Sequence, residues 1–411
     1  MTKDVKRSST DIHGNPEDLR VGWFGTSCLM MKTQIGLGVL SFPAVFDTLG
    51  LIPGAIILCT IAGITTWSNY IVAVFKVNHR SVYGVDDAGQ LMFGRIGKEL
   101  FAVAFMGQYV MTAGSAMLSL SISLNALSDH GACTAVFFAV AFVLISILAS
   151  IRTLGRITWL AIVGVVCMIT AVLTVTIAAV SAVSTLIFAY AGTGAFFPIV
   201  SEMRDPNLYP RALALCQTVV TIIFLTVGIV VYYYCGSYVA SPALGSAGVT
   251  IKKVSNGIAF PGLLVSGVLL AHVSSKYLFV RFLRNSKHLA SNSFVHWATW
   301  LGCNFGVCLL AYILASAIPV FNGIVSLSGA LFGTLLSFQP MGCMWLYDNW
   351  ARKENPTIRW RLMVAWSVFV IVAGTFMMIA GTYGAVVGIV DSYKADGGSS
   401  AWSCADNSNS S

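Results

Sequence analysis

"MMKTQIGLGVLSFP", Met30 to Pro43, lies inside an apolar run from about Phe24 to Phe46. That is the length a helix needs to cross a hydrocarbon layer about 30 Å thick, roughly 20 residues. Gly36 and Gly38, followed by Pro43, are poor components for the middle of such a helix. In lipid an unpaired backbone N–H or C=O costs several kcal/mol, so a broken helix persists only where protein or a water-filled cavity satisfies the freed groups. A break here therefore points to a site. The alternative for this motif alone is close helix packing at the glycines and a kink at Pro43.

The rest of the chain has the composition of a membrane protein: 57% hydrophobic and only 10% charged residues, with a mean hydropathy of +0.80. Apolar windows of spanning length recur near 24–46, 51–75, 99–125, 132–151, 157–179, 182–203, 211–235, 258–283, 295–317, 320–347 and 362–390. This predicts an all-α polytopic protein with about 11 transmembrane helices spread over residues 23–391. Two tails flank that domain, 1–22 and 392–411, of mixed charge and of Gly, Ser and Asn respectively, and both read as disordered.

The formal net charge of +8 reflects orientation and not a nucleic-acid footprint. With the N-terminus in the cytoplasm, Lys252, Lys253 and Lys394 are the basic residues in outer segments, Lys32 and Lys276 lie within spans, and all the others fall in inner segments. An odd number of spans then leaves the C-terminus outside. The ten cysteines are mostly embedded in apolar runs without CxxC spacing and read as small hydrophobic fillers; Cys133, Cys235 and Cys404 fall near the outer face, where one disulfide can form. Enzyme signatures such as HExxH, GxSxG or a complete P-loop are missing, and neither a metal site nor a cofactor is expected. His272, alone deep in a span, reads as a packed residue.

A second stretch repeats the first. "FAYAGTGAFFPIVSEM", Phe188 to Met203, places Gly192 and Gly194 a few residues before Pro198. Four predicted crossings separate the two breaks, so the sixth span runs antiparallel to the first and the breaks occupy corresponding positions of two inverted halves. Secondary transporters build a midplane binding site from such paired breaks. Half-helices starting near Val39 and Phe196 would point free N–H groups and a positive dipole end at the cavity. Backbone amides from Gly36 through Leu37 and Gly38 to Val39 are thus the expected clamp for a carboxylate. Carbonyls of Ala191, Gly192, Thr193 and Gly194 suit an ammonium, and together the breaks suit a zwitterionic amino acid.

These two motifs, with the inner loop "VNHRSVYGVDDAGQLMFG", resemble the amino acid/auxin permease (AAAP) family, nearest the fungal neutral amino acid permeases, over about residues 20 to 390. The resemblance implies eleven spans, a LeuT-type 5+5 inverted repeat with broken helices 1 and 6, and proton-driven uptake of neutral aliphatic and aromatic amino acids, with the plasma membrane or the vacuolar membrane as the location. The partners expected are the amino acid, a proton and the bilayer, and no nucleic acid. A membrane sensor that keeps the fold but does not transport is the alternative.

Further candidates follow from position. Tyr109, beside Gln108, reaches the midplane on the third span, where similar folds touch substrate. Glu202 follows the second break and is expected to pair with Arg204 or Lys32 at the inner face. Lys32, four residues before Gly36, has snorkelling to the inner surface as its simplest reading. Ser274 and Ser275 lie where sodium-coupled members of the fold hold an ion. Lys276 either replaces that cation or snorkels.

The sequence departs from the family pattern in two places. From Ile157 to Ser201 there is no charged residue, and the fifth span runs directly into the sixth near Val180 and Ser181, where similar permeases have a polar outer loop. Either a turn of two to five residues joins them, or a shortened form lacks that loop. At Gly194 the family pattern expects a proline.

Overall fold

The structure, a computed structural model, describes residues 22–35, 49–79, 81–151, 208–235, 249–284, 286–289, 291–318, 321–350 and 357–395, with single positions 46, 163, 164, 166, 167, 189, 196, 199, 200, 203, 353 and 404. Regular structure among these is helical: α1 (Trp23–Gln34), α2 (Leu51–Asn78), α3 (Val85–Ser128), α4 (Thr134–Ala149), α5 (Tyr209–Cys235), α6 (Val249–Leu283), α7 (Phe294–Ala317), α8 (Phe321–Ser328), a π-helical turn (Gly329–Gly333), α9 (Thr334–Ser337), α10 (Gln339–Asn349) and α11 (Ile358–Ala395).

Among the described residues 7 helical stretches are long and apolar enough to cross a membrane: Leu51–Asn78, Val85–Ser128, Tyr209–Ile229, Lys252–Leu283, Phe294–Ala317, Gly323–Asn349 and Ile358–Asp391. Each coincides with a window read from the sequence. The fourth window holds α4, a shorter apolar helix of 16 residues. The windows 157–179 and 182–203 fall almost wholly outside the described residues.

The second half of the inner loop motif, from Val85, is built into α3. Gly94 has φ 67° and ψ −150°, a conformation that a side chain disfavours, and it splits α3 into two helices. The piece before Gly94 folds back on the spanning piece so closely that a Cβ on Gly97 would lie 2.5 Å from the Gly89 carbonyl oxygen. The sequence window 99–125 is thus the spanning part.

Helix ends collect on two sides. On one, Asn78 Nδ2 donates to Asp348 Oδ2 at 2.8 Å, Arg284 pairs with Asp87 at 2.8 Å and Arg281 with Glu99 at 2.6 Å. On the other, Lys253 pairs with Asp129 at 2.6 Å, Ser123 Oγ donates to Asn256 Oδ1 at 3.0 Å, and Cys133 is disulfide-bonded to Cys404. The α3–α4, α6–α7 and α10–α11 pairs therefore run antiparallel. Exposed ion pairs contribute only about 0–1 kcal/mol each, so they mark the two faces more than they hold the bundle. Asp87 lies ahead of Gly94, outside the spanning part. Burial alone would raise its carboxyl, but the hydrogen bond and charge of Arg284, with the Tyr83 amide and Lys98, hold it below the usual carboxylate range.

The core runs along α3. In the apolar window of that helix 89% of residues are buried, against 17% in α11, whose outward face carries Leu362, Phe369, Phe376 and Ile379. An outward apolar face of that kind suits lipid and not water. At the centre α6 meets α3 and α4 at Gly267, where a Cβ would lie 2.5 Å from Ile145 Cδ1 and 3.1 Å from Ala116 Cβ. Small residues at such crossings let membrane helices approach without a hydrophobic driving force.

Candidate functional site

The site is approached through the flanks of the first break. α1 has 12 residues, a rise of about 18 Å, too short to cross the bilayer by itself. It stops at Gln34, and Ile35, at φ −78° and ψ 88°, has left the helical region one residue before Gly36. Helical conformation is present again at Phe46. α5 runs alongside this span in the same direction. Ser27 Oγ donates to Ala212 O at 3.0 Å, Cys216 Sγ to Gln34 Oε1 at 4.0 Å, and the Phe46 ring fills the space a side chain on Gly228 would take. The proposed clamp residues Gly36, Leu37, Gly38 and Val39 lie outside the described residues, as do Ala191, Gly192, Thr193, Gly194 and Glu202. Around the second break, Ala189, Phe196, Ile199 and Val200 are helical and buried.

Polar groups gather beside the end of α1. Gln34 Nε2 and both amide atoms of the buried Gln217 on α5 have no hydrogen-bond partner among the described residues. Unpaired buried amides cost about 1–3 kcal/mol each in a finished structure, so such groups suit a cavity that water or substrate enters.

Lys32 is not at the surface, in contrast to the snorkelling expectation. It is 2% exposed, and its Nζ donates to Gly262 O of α6 at 3.0 Å. The same carbonyl accepts from Ser266 Oγ at 3.0 Å. Space for the lysine stem exists because residue 164, in the fifth predicted span, is glycine: a Cβ there would lie 2.9 Å from Lys32 Cε and 3.0 Å from Val265 Cβ. Magnitudes argue against a purely stabilising role. A hydrogen bond from a charged donor contributes about 1.5–3 kcal/mol, while taking an ammonium out of water costs several kcal/mol.

Ser275 faces another way from Gly262. Thirteen residues on, at 100° per residue, it is turned from Gly262 by about 140°. Its Oγ donates to Ala271 O at 2.7 Å and to Asn304 Oδ1 of α7 at 3.3 Å, while Ser274 Oγ donates to Leu270 O at 3.1 Å. Both hydroxyls are buried and bonded within this frame. Lys276 falls within about 40° of the Gly262 face and about 21 Å further along α6, and is half-buried. Tyr109 is 2% exposed, its ring tilted against Phe105 with centroids 4.6 Å apart, and the Phe105 centroid lies 4.8 Å from that of Tyr277 of α6.

Two features were not singled out from the sequence. Asn304 ties three helices together: its Nδ2 donates to Ser146 O at 2.7 Å and Ser150 Oγ at 2.9 Å, beside Trp300 Nε1 donating to Ser150 O at 2.8 Å and His272 Nδ1 3.3 Å from Ala149 O. The signal available was one asparagine in the apolar run "TWLGCNFGVCLL". His272 thus has the packed role expected of it. Asn304→Ala should lower the thermal unfolding midpoint by an amount corresponding to about 1–3 kcal/mol and leave the KM for substrate unchanged; a changed KM with an unchanged midpoint would contradict a framework role. The second feature is the π-helical turn Gly329–Gly333, a form frequent at functional sites. It follows Ser328, whose Oγ donates to Gln108 Oε1 of α3 at 3.2 Å, next to Tyr109.

Comparison with known proteins bears on the whole chain. The family described as transmembrane amino acid transporter protein matches residues 20–184 and 178–387. A "Transmembrane transporter" of Gibberella moniliformis is 30% identical, covering 94% of this chain and 88% of that protein. The "N amino acid transport system protein" of Neurospora crassa is 29% identical over 95% of this chain and 90% of its own. Among solved structures, MhsT in complex with L-phenylalanine has a TM-score of 0.54 at 13% identity, covering 90% of this chain and 98% of that one. A Na+-coupled sialic acid symporter has a TM-score of 0.53 at 12% identity, covering 93% of both chains. At these identities the structural likeness speaks for the fold alone, that of the LeuT-type transporters.

Proposed function

The chain belongs to the transmembrane amino acid transporter family, and from that premise we propose that it imports neutral amino acids, aliphatic and aromatic, by proton symport and alternating access. It is an integral membrane transporter and not an enzyme. The substrate reading draws on the first break, whose glycine amides suit a carboxylate and beside which the buried Gln34 and Gln217 keep amide atoms without a hydrogen-bond partner among the described residues, and on the name of the Neurospora relative. The observation that carries proton over sodium coupling is the lysine between the helices: the Lys32 amine of α1 donates to Gly262 O of α6. A sodium ion between those helices would meet that positive charge.

The membrane orientation follows the charge asymmetry: the face carrying Arg281, Arg284 and Lys98 in the cytoplasm, the face carrying the Cys133–Cys404 disulfide outside, where oxidising conditions let such a bond persist. The plasma membrane is the location that fits import. The test is uptake of a radiolabelled amino acid panel in cells expressing the chain. Uptake of leucine or phenylalanine should rise at acidic outside pH, persist when choline replaces sodium, and collapse with a protonophore. Strict sodium dependence would refute the coupling, and no accumulation of any amino acid would favour a sensor.

A further inference from the structure

We propose that the Lys32 amine carries the coupling proton, and that in its charged form it latches α1 to α6. This rests on the reading of the chain as a proton-coupled transporter and names the group that does the coupling.

The geometry supplies the latch. Lys32 is fully enclosed, and its Nζ lies 3.0 Å from Gly262 O. It sits two residues from the end of α1, next to the break where the inner half of the first span stops. Its partner α6 belongs to a frame tied to α4 and α7 through Ser275, Asn304 and Trp300. The lysine thus joins the short helix α1 to a part of the bundle that is itself cross-tied by side-chain hydrogen bonds. Gly164 keeps the slot open for the lysine stem.

No carboxylate is paired with Lys32 among the described residues. Among the described residues, the titratable neighbours of Lys32 are thiols. Cys167 lies beside it on the fifth predicted span, Cys28 is one turn earlier on α1, and Cys216 of α5 contacts Gln34. On α6, His272 and Lys276 lie about 15 and 21 Å beyond Gly262. The amine is accordingly the proton carrier nearest the first break among these groups. Removal from water disfavours the charged form of an amine in general, so a lysine can exchange its proton when the cavity opens.

The step balances with one proton. With the cavity open inward, an Nζ–H bond of the ammonium breaks and the proton passes to inner water; the neutral amine keeps a weaker bond to Gly262 O and α1 is released. With the cavity open outward, the amine takes a proton from outer water and the latch forms again. One proton enters from outside and leaves inside for each substrate carried.

The test uses the purified full chain in proteoliposomes with labelled leucine, comparing accumulation driven by a pH gradient, acid outside, with exchange at equal pH. The intact protein should do both. Lys32→Met should keep exchange and accumulate leucine only to a ratio of about one, against a ceiling of about tenfold per pH unit at one proton per substrate. Lys32→Arg, which keeps the charge and the donor but does not release its proton, should bind leucine in a thermal-shift assay while losing gradient-driven accumulation. Unchanged accumulation in either variant would overturn the proposal. Loss of folded protein in both would also overturn it, since Lys32 would then be a structural cross-link. An intact protein that exchanges leucine but ignores the pH gradient would overturn the proton-coupled reading itself, whatever the variants do.

Discussion

Uptake of every amino acid should fall to background in Gly38→Val, with the protein still reaching the membrane. Gly38 lies outside the described residues, and the expectation rests on what flanks it. α1 ends at Gln34, Ile35 has non-helical ψ, and the span is in place again at Phe46 against Gly228. The backbone amides of Gly36 to Val39 are the donors expected for a substrate carboxylate there, since no arginine or lysine lies between Ile35 and Phe46 and the nearby Lys32 amine is engaged by Gly262 O. A β-branched side chain would occupy the carboxylate's space and favour a continuous helix. Each hydrogen bond to a charged acceptor is worth about 1.5–3 kcal/mol, so losing two amounts to a fall of roughly a hundredfold or more in apparent affinity. Gly38→Ala should fall between the two. The measurement is the initial rate of leucine uptake normalised to surface protein, and an unchanged rate in Gly38→Val would remove the amide clamp.

How much of this was legible in the sequence depends on the kind of signal. Span positions were readable because hydrocarbon thickness fixes helix length, and each of the 7 long apolar helices lies on a window read from hydropathy. The fold-back at Gly94 was not, since a single glycine among many gives no sign that its φ will be positive. Lys32 shows the limit most clearly. By sequence a lysine near a span's inner end snorkels, and only the third dimension shows Gly262 and Gly164 arranged around it. The serines of α6 show a related dependence. Their position in the sequence does not reveal that Ser275 Oγ also donates to Asn304, a partner 29 residues away that no periodicity announces. Cysteine pairing was equally closed to sequence reasoning, since three outer cysteines allow several connectivities and the fold selects Cys133 and Cys404.

Inserting a polar loop of about thirty residues between Val180 and Ser181 should raise leucine uptake several-fold, or raise the yield of folded protein. Two independent observations converge on that junction. By sequence, residues Ile157 to Ser201 hold no charge where similar permeases have a polar outer segment. By comparison, the family match falls in two pieces that meet at residues 178–184. Without a loop, two antiparallel spans must meet through a turn of a few residues, which fixes their tops together. Transport by alternating access needs one inverted half to move against the other, and a short tie between the fifth and sixth spans joins those halves directly. A flexible loop relieves the tie at small cost, because closure entropy grows only by about 0.6 kcal/mol for each doubling of length. The comparison is made at matched expression, with the same polar insertion placed in the 395–411 tail as a control for added length. No gain in rate or yield would establish the short connection as fully competent, and the tie between the halves would then have to be part of the native transport cycle.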